Sequence, residues 1–482
     1  MRVSGFPRGS TGFSRTHPSR SFRAMDYGFR FTFRRLVMAL VATAAAAGGA
    51  AVQAQVTAQA LIGNAVSDDA MNKEITNAIE RFRDRDIDGC RAILERAKSN
   101  NPKLPPPGVM MATLWMAVNQ LPQAREELEN AAVKFPTDPE SYLKLGDLAF
   151  GEGRITDADV LFERAATLTS AYNENPKRRR DFDIRCEAGT AAVAERRRQW
   201  ENAQKHLAKW IELDPDNAGS RLRMGNVLFQ LGKEPEALAE FKEAKKIDKN
   251  SPLPELAMAQ RNDEAKKRDA AKKWIQDAIK AAPTDPAVQL FAARWYLQQN
   301  DLEAAKAAAD TALKLDAKNL EAKFVRGLVA RVGRDYSTAQ KFLNEAHFQS
   351  PGNFDVSNSL ALVLIESDDE EARRRALELA DTNVAKYREN TPQQIPAVTT
   401  LAWVFYKLGR REDAERILEQ VRRSNALSSD GAFYVAKILA DRGEKDLARK
   451  ILEEVIANEP MFATKSEAAD LLATLKKQAG EK

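Results

Sequence analysis

Small residues and larger apolar residues return along this chain every 34 residues, an interval far longer than one helical turn. Twelve residues ahead of Pro136, Pro215, Pro283, Pro351 and Pro460 stand Ala124, Ala203, Ala271, Ala339 and Ala448. Twelve earlier again stand Ala112, Ala191, Ala259, Gly327 and Ala436. Where the proline is missing the small pair persists, as Gly146 with Ala158, Gly225 with Ala237, Ala293 with Ala305 and Ala402 with Ala414. Four residues after the second small position comes a bulky apolar one, such as Leu128, Phe162, Leu207, Phe241, Ile275, Leu343, Leu418 or Leu452. Small side chains let two antiparallel helices approach until their ridges interdigitate. Proline lacks an N–H and fixes φ, so it closes each unit. The spacing therefore predicts helix, turn, helix and stop, repeated without strands.

This pattern resembles the tetratricopeptide repeat (TPR) family, most closely at Tyr142-x2-Leu145-Gly146 with Ala158-x3-Phe162, and at Met224-Gly225 with Ala237-x3-Phe241. The resemblance implies an all-α fold, a right-handed α-solenoid of about eleven repeats. We place their starts near Met71, Pro105, Pro139, Ile184, Ala218, Pro252, Pro286, Leu320, Phe354, Ile395 and Ser429. The first, sixth and ninth depart from the family pattern. Arg81 and Asn262 replace an aromatic, and Asn383 replaces an alanine. Eleven extra residues near 171–183 and an acidic stretch, Glu366 to Glu371, break the register and are expected to form loops. Residues 71–461 make the solenoid, and 462–482 a capping helix and tail with Leu471, Leu472 and Leu475 on one side and Lys476, Lys477 and Glu481 in water.

The front of the chain reads differently. Arg34-Arg35 precede a short apolar run from Leu36 to Ala42, followed by Ala and Gly and then Val52-Gln53-Ala54. That order predicts a secretory signal peptide cleaved after Ala54, with Met25 as the true start, and hence a periplasmic or secreted protein. The alternative is an uncleaved anchor over 36–54, the one route to membrane contact. Residues 55–70 are read as a linker. The leader holds eight Arg and one Asp, so the formal charge of +5 becomes −2 for the remainder. The basic balance therefore belongs to the leader, and nucleic acid is not an expected partner.

Candidate chemistry is sparse. His206 and His347 are the histidines beyond the leader and lie about four repeats apart, so they cannot share a metal. Cys90 and Cys186 are separated by about three repeats, beyond the roughly 7 Å that a disulfide spans. Gly151-x-Gly153 is a turn between helices and not a phosphate cradle, having no strand ahead of it. No metal, cofactor or catalytic residue is expected.

The resemblance further implies that the first helix of each repeat lines a groove for protein or peptide partners. It places Leu143, Leu222, Leu256, Leu290, Phe324 and Phe433 at one groove position, and Asp147, Phe150, Asn226, Phe229, Arg294, Trp403 and Tyr406 at two others. Trp403 and Tyr406 would be large exposed aromatics. Gly225-Asn226 matches part of the family's carboxylate clamp, but Leu222 stands in place of its lysine, so the clamp is not expected. Lys177, Arg178, Arg179 and Arg180, with Arg185 and Arg196, Arg197 and Arg198, form a concentrated basic patch able to hold an anionic polymer. Three functions follow: a peptide-binding scaffold in the cell envelope, a recognition subunit for an anionic envelope polymer, or an anchored accessory subunit of a membrane enzyme complex.

Overall fold

The computed structural model describes residues 56–62, 69–387, 391–421, 427–458 and 462–480. The leader, Pro460 and Glu481 lie outside them. A short helix, α1 (Ala58–Ile62), precedes eleven helix pairs. They are α2 (Asp69–Arg83) with α3 (Ile87–Asn100), α4 (Pro107–Ala117) with α5 (Leu121–Lys134), α6 (Glu140–Gly151) with α7 (Ile155–Ala171), and α8 (Pro176–Arg196) with α9 (Trp200–Leu213). Next come α10 (Ala218–Gln230) with α11 (Glu234–Ile247), α12 (Pro254–Glu264) with α13 (Arg268–Ala281), α14 (Pro286–Gln298) with α15 (Leu302–Leu315), and α16 (Leu320–Val332) with α17 (Tyr336–Gln349). The last are α18 (Phe354–Leu364) with α19 (Glu370–Lys386), α20 (Gln394–Lys407) with α21 (Arg411–Val421), and α22 (Ser429–Arg442) with α23 (Lys445–Asn458), closed by α24 (Lys465–Gln478). Among the described residues there is no strand. The fold is an all-α solenoid, as the spacing predicts.

Each pair is held by the small residues that mark the period. A methyl group on Gly146 would lie 2.7 Å from the Phe162 ring, and one on Gly225 only 2.5 Å from the Phe241 ring. Glycine is thus what lets the first helix settle on the aromatic of the second. The turn inside a repeat keeps the same beat. Arg85, Asn119, Gly153, Arg198, Gly232, Lys266, Asn300, Arg334, Gly409 and Gly443 all carry positive φ, and most are not glycine. Side-chain caps start many helices: Asn217 accepts from the Ser220 N–H, Asn319 from Ala322 and Asn353 from Val356.

The described residues fall into two units, 56–281 and 282–480. In the first, buried apolar residues form successive clusters, each spanning about two repeats. In the second, one cluster runs from Ala330 to Leu475. There α20 is buried without a break from Ala397 to Phe405.

Two expectations are corrected. The extra residues near 171–183 do not form a loop: α7 has 17 residues and α8 has 21, against 14 in α9 and 13 in α10. Asn175 caps the lengthened α8 by accepting from the Lys177 and Arg178 N–H groups, and Pro176 sits at its first position, so the added chain is helical from its start. Residues 55–70 are not a bare linker, because α1 buries Leu61 and Ile62 against α2 and α4. The acidic stretch is the expected break in the register, with Glu366 to Asp369 outside any helix. Glu366 accepts from Lys407 at 2.8 Å, and Asp369 caps α19.

The irregular first, sixth and ninth repeats still form helix pairs. Asn262 is wholly buried and donates to the Met258 carbonyl at 2.9 Å. Asn383 is buried and accepts from the Ser357 hydroxyl at 2.9 Å. Arg81 pairs with Asp86 at 2.6 Å. At the far end, α24 buries Leu475 and half-buries Leu471 and Leu472, while Lys476 pairs with Glu453 at 2.9 Å.

Candidate functional site

In the unit up to Ala281, neighbouring first helices are laced by ion pairs. Arg185 on α8 donates to Asp147 on α6 at 2.9 Å, and Arg223 on α10 donates to Glu195 on α8 at 3.0 Å. Arg223 also donates to the Ala188 carbonyl and lies 5.3 Å from the Trp210 ring. Phe150 on α6, Leu222 and Asn226 on α10 and Leu256 on α12 are half-buried. Leu143 and Phe229 are buried and pack between helices, so they offer a partner little surface. The face is more polar than the sequence pattern implies.

The basic patch is not one patch. Arg178–Arg180 and Arg196–Arg198 occupy opposite ends of α8, roughly 27 Å apart at the rise of a helix. Arg178 faces inward, its side chain 6% exposed, and donates to Asp138 at 3.1 Å, Glu140 at 2.8 Å and the Tyr172 hydroxyl at 2.8 Å. Its guanidinium also lies 4.9 Å from the Phe182 ring. Burial pushes the Asp138 carboxyl up despite Arg178, whereas at Glu140 the charges of Lys144, Arg178 and Arg185 outweigh burial and hold it low. Arg179 donates to Asn173 and to the Ser170 carbonyl, and Arg180 donates to the Leu213 carbonyl at 2.7 Å. Arg197 pairs with Asp159, leaving Arg196 and Arg198 exposed without an ion pair. Arg178 is corrected from an anion-binding candidate to a buried structural cation.

In the unit from Ala282, Leu290 and Phe324 are half-buried and Arg294 pairs with Glu321. Trp403 is not an exposed aromatic: it is 7% exposed, stacked on Tyr434 at 4.5 Å and on Tyr406 at 5.2 Å. Tyr406 is half-buried and donates its hydroxyl to Asp441; Phe433 is buried. The aromatic ladder is a core feature because first helices here also pack on one another, α18 on α20 and α20 on α22.

The sequence reading missed one cluster. Arg331 at the end of α16 donates to Asp430 at 3.0 Å and to the Tyr434 hydroxyl at 2.9 Å, both on α22. Asp430 in turn accepts from the Thr464 N–H and hydroxyl, each at 2.9 Å. Burial pushes the Tyr434 phenol above its usual range, so it is the neutral hydroxyl that accepts. With 99 residues between Arg331 and Asp430, no local motif could have pointed to it.

The remaining titratable groups are scattered. Cys90 and Cys186 are buried free thiols, pushed up by burial to about 12 and about 11, so both stay protonated. His206 bonds Glu187, while His347 lines an open hollow of about 540 Å³ with Lys323, Phe348 and Arg375. Among the described residues, no group of three or more His, Cys, Asp or Glu is placed to hold a metal ion, and no helix is long and apolar enough to cross a membrane.

The tetratricopeptide repeat family matches the chain at residues 109–175, 290–354 and 399–460, and a second form of the same repeat matches at 195–261. Together the matches cover more than half of the chain. No curated protein matches it. Among solved structures, a tetratricopeptide repeat protein from Parabacteroides merdae is 15% identical, covering 54% of this chain and 98% of its own, with a TM-score of 0.42. Yeast Tom70 is 14% identical, covering 86% of this chain and 97% of its own, with a TM-score of 0.36. Pseudomonas aeruginosa pilF is 18% identical, covering 48% and 96%, with a TM-score of 0.28.

Proposed function

The chain belongs to the tetratricopeptide-repeat family, and from that premise we propose that it is a non-catalytic scaffold that binds a protein or peptide segment along the first helices of residues 56–281. One observation carries the choice of face. Phe150, one turn on from Asp147, and Leu222 and Asn226, on the same helix as Arg223, are half-buried, so apolar area and directional polar groups occur together. An extended or helical peptide is recognised by that combination. The matching first helices from α18 onward are spent on their own core.

A photo-crosslinking residue placed at Asn226 should capture a defined partner, and Leu222→Ala should weaken capture with only a small fall in melting temperature, since Leu222 is half-buried at the edge of its own core. Equal capture from Val160, 60% exposed on the second helix α7, would overturn the assignment. The export reading belongs to residues outside the described ones and is supported by the Arg34-Arg35 and Leu36–Ala42 pattern. N-terminal sequencing tests it: a mature start at Gln55 is expected, and a retained leader would favour the anchored accessory subunit. The anionic-polymer reading loses Arg178 and Arg197 to carboxylates. Its remaining cations are divided between the two ends of α8, Lys177, Arg179 and Arg180 at one and Arg196 and Arg198 at the other, so it carries less weight.

A further inference from the structure

In a stacked array each repeat meets its immediate neighbours. Arg331 breaks that rule. It leaves the eighth repeat, passes over the ninth and tenth, and ends on Asp430 and Tyr434 of the eleventh. The acceptors are built without its help. The Thr464 N–H and hydroxyl fix one oxygen of Asp430, leaving the other for Arg331, and Tyr434 is held flat against Trp403. Arg331 itself sits in the last turn of α16, its side chain 11% exposed.

We propose that Asp430 and Tyr434 form a guanidinium receptor that Arg331 fills from within the chain, and that an arginine side chain of a bound peptide segment takes its place. Both acceptors are served by one terminal nitrogen of Arg331, in a place where its side chain is only 11% exposed. A guanidinium is favoured there over an ammonium because its weaker hydration makes that burial less costly. The second link across this turn, Arg334 to Glu467 at 2.9 Å, has its arginine side chain 52% exposed and adds little to the closure. Only the binding of peptide segments is taken from the scaffold reading. The peptide's arginine is placed in the unit from Ala282, apart from the face proposed in residues 56–281, and the receptor itself does not rest on that reading.

The full chain tests it with N-acetyl-argininamide as the probe and hydrogen exchange as the readout. Wild-type protein should show no change in exchange with about 10 mM probe, because its receptor is already filled by Arg331, whose tether holds it at an effective concentration no lower than the probe's. Arg331→Ala should speed amide exchange in α22 and α24 by at least roughly tenfold, and the probe should restore protection while N-acetyl-lysinamide does not. Should Arg331→Ala fail to fold, Arg331→Lys keeps the charge and takes the same readout. Unchanged exchange would overturn the proposal, as would lost protection that the probe cannot restore, which would leave Arg331 a structural stitch. Equal rescue by the lysine derivative would overturn the guanidinium assignment. None of these outcomes requires a partner, so failure here leaves the scaffold reading standing, and failure of the crosslinking leaves this one standing.

Discussion

The two units use the same repeat for different ends. Up to Ala281, first helices meet their neighbours through exposed or half-exposed ion pairs such as Arg185–Asp147, and the core is divided among small clusters. From Ala330 on, first helices sink into a single apolar body in which even Trp403 and Phe433 are covered. A period of small residues therefore sets how two helices of one repeat meet. It does not set whether the first helix faces a ligand or its own kin. That choice lies in the residues between the beats, where one unit carries Asp147, Glu195 and Arg223 and the other carries Val398, Leu401 and Val404.

Removing the tryptophan of the Ala330–Leu475 cluster should have the widest effect. Trp403→Ala should cost about 3–5 kcal/mol, and hydrogen exchange should show loosening from α18 through α24. Loosening confined to α20 would mean that the second unit is as segmented as the first. Arg178→Ala leaves Asp138 and Glu140 buried without their cation, at a cost of about 3–5 kcal/mol, but its effect on exchange should stop at α6, α7 and α8. Spread into α10 and beyond would deny the first unit its divided core. Gly225→Ala forces a methyl group against Phe241 and should cost about 1–3 kcal/mol, seen as a lower denaturant midpoint with faster exchange in α10 and α11. A neutral result would show that the small-residue beat is not what seats these helices.

The smallest effect is a pH dependence confined to the second unit. Burial and the nearby Arg375 hold the His347 imidazole below its ordinary 6.5. The folded ring thus resists protonation that the unfolded chain accepts, so its contribution is fully present above pH 6.5 and is lost as pH falls toward the folded value. Thermal melts between pH 7.5 and 5 should show this slope, and His347→Gln should flatten it.

Repeat number, helix pairing and turn positions were legible in the sequence because each depends on residues within 34 positions of one another. The fate of the extra residues before repeat four was not, since a charged stretch such as Lys177–Asp181 suits a solvated helix as well as a loop. The Asn175-Pro176 pair, a cap followed by a first-turn proline, was the signal that could have decided it. Arg178 looked like one cation among four, and only the fold brings Asp138 and Glu140 from about 40 residues away to enclose it. Trp403 failed for the same reason. Groove positions inherited by register say which helix a residue is on, not how tightly the next helix closes over it.

The lengthened α8 has a mechanical consequence. Its added turns run ahead of the repeat proper and anchor, through Arg178, to the segment that leads into α6. The third and fourth repeats are thereby braced like two rungs sharing a strut, while their neighbours are joined by more exposed pairs such as Arg223–Glu195 and Arg125–Glu152. Any partner that straddles this joint meets a separation already fixed before it arrives, and must fit that gauge or go elsewhere.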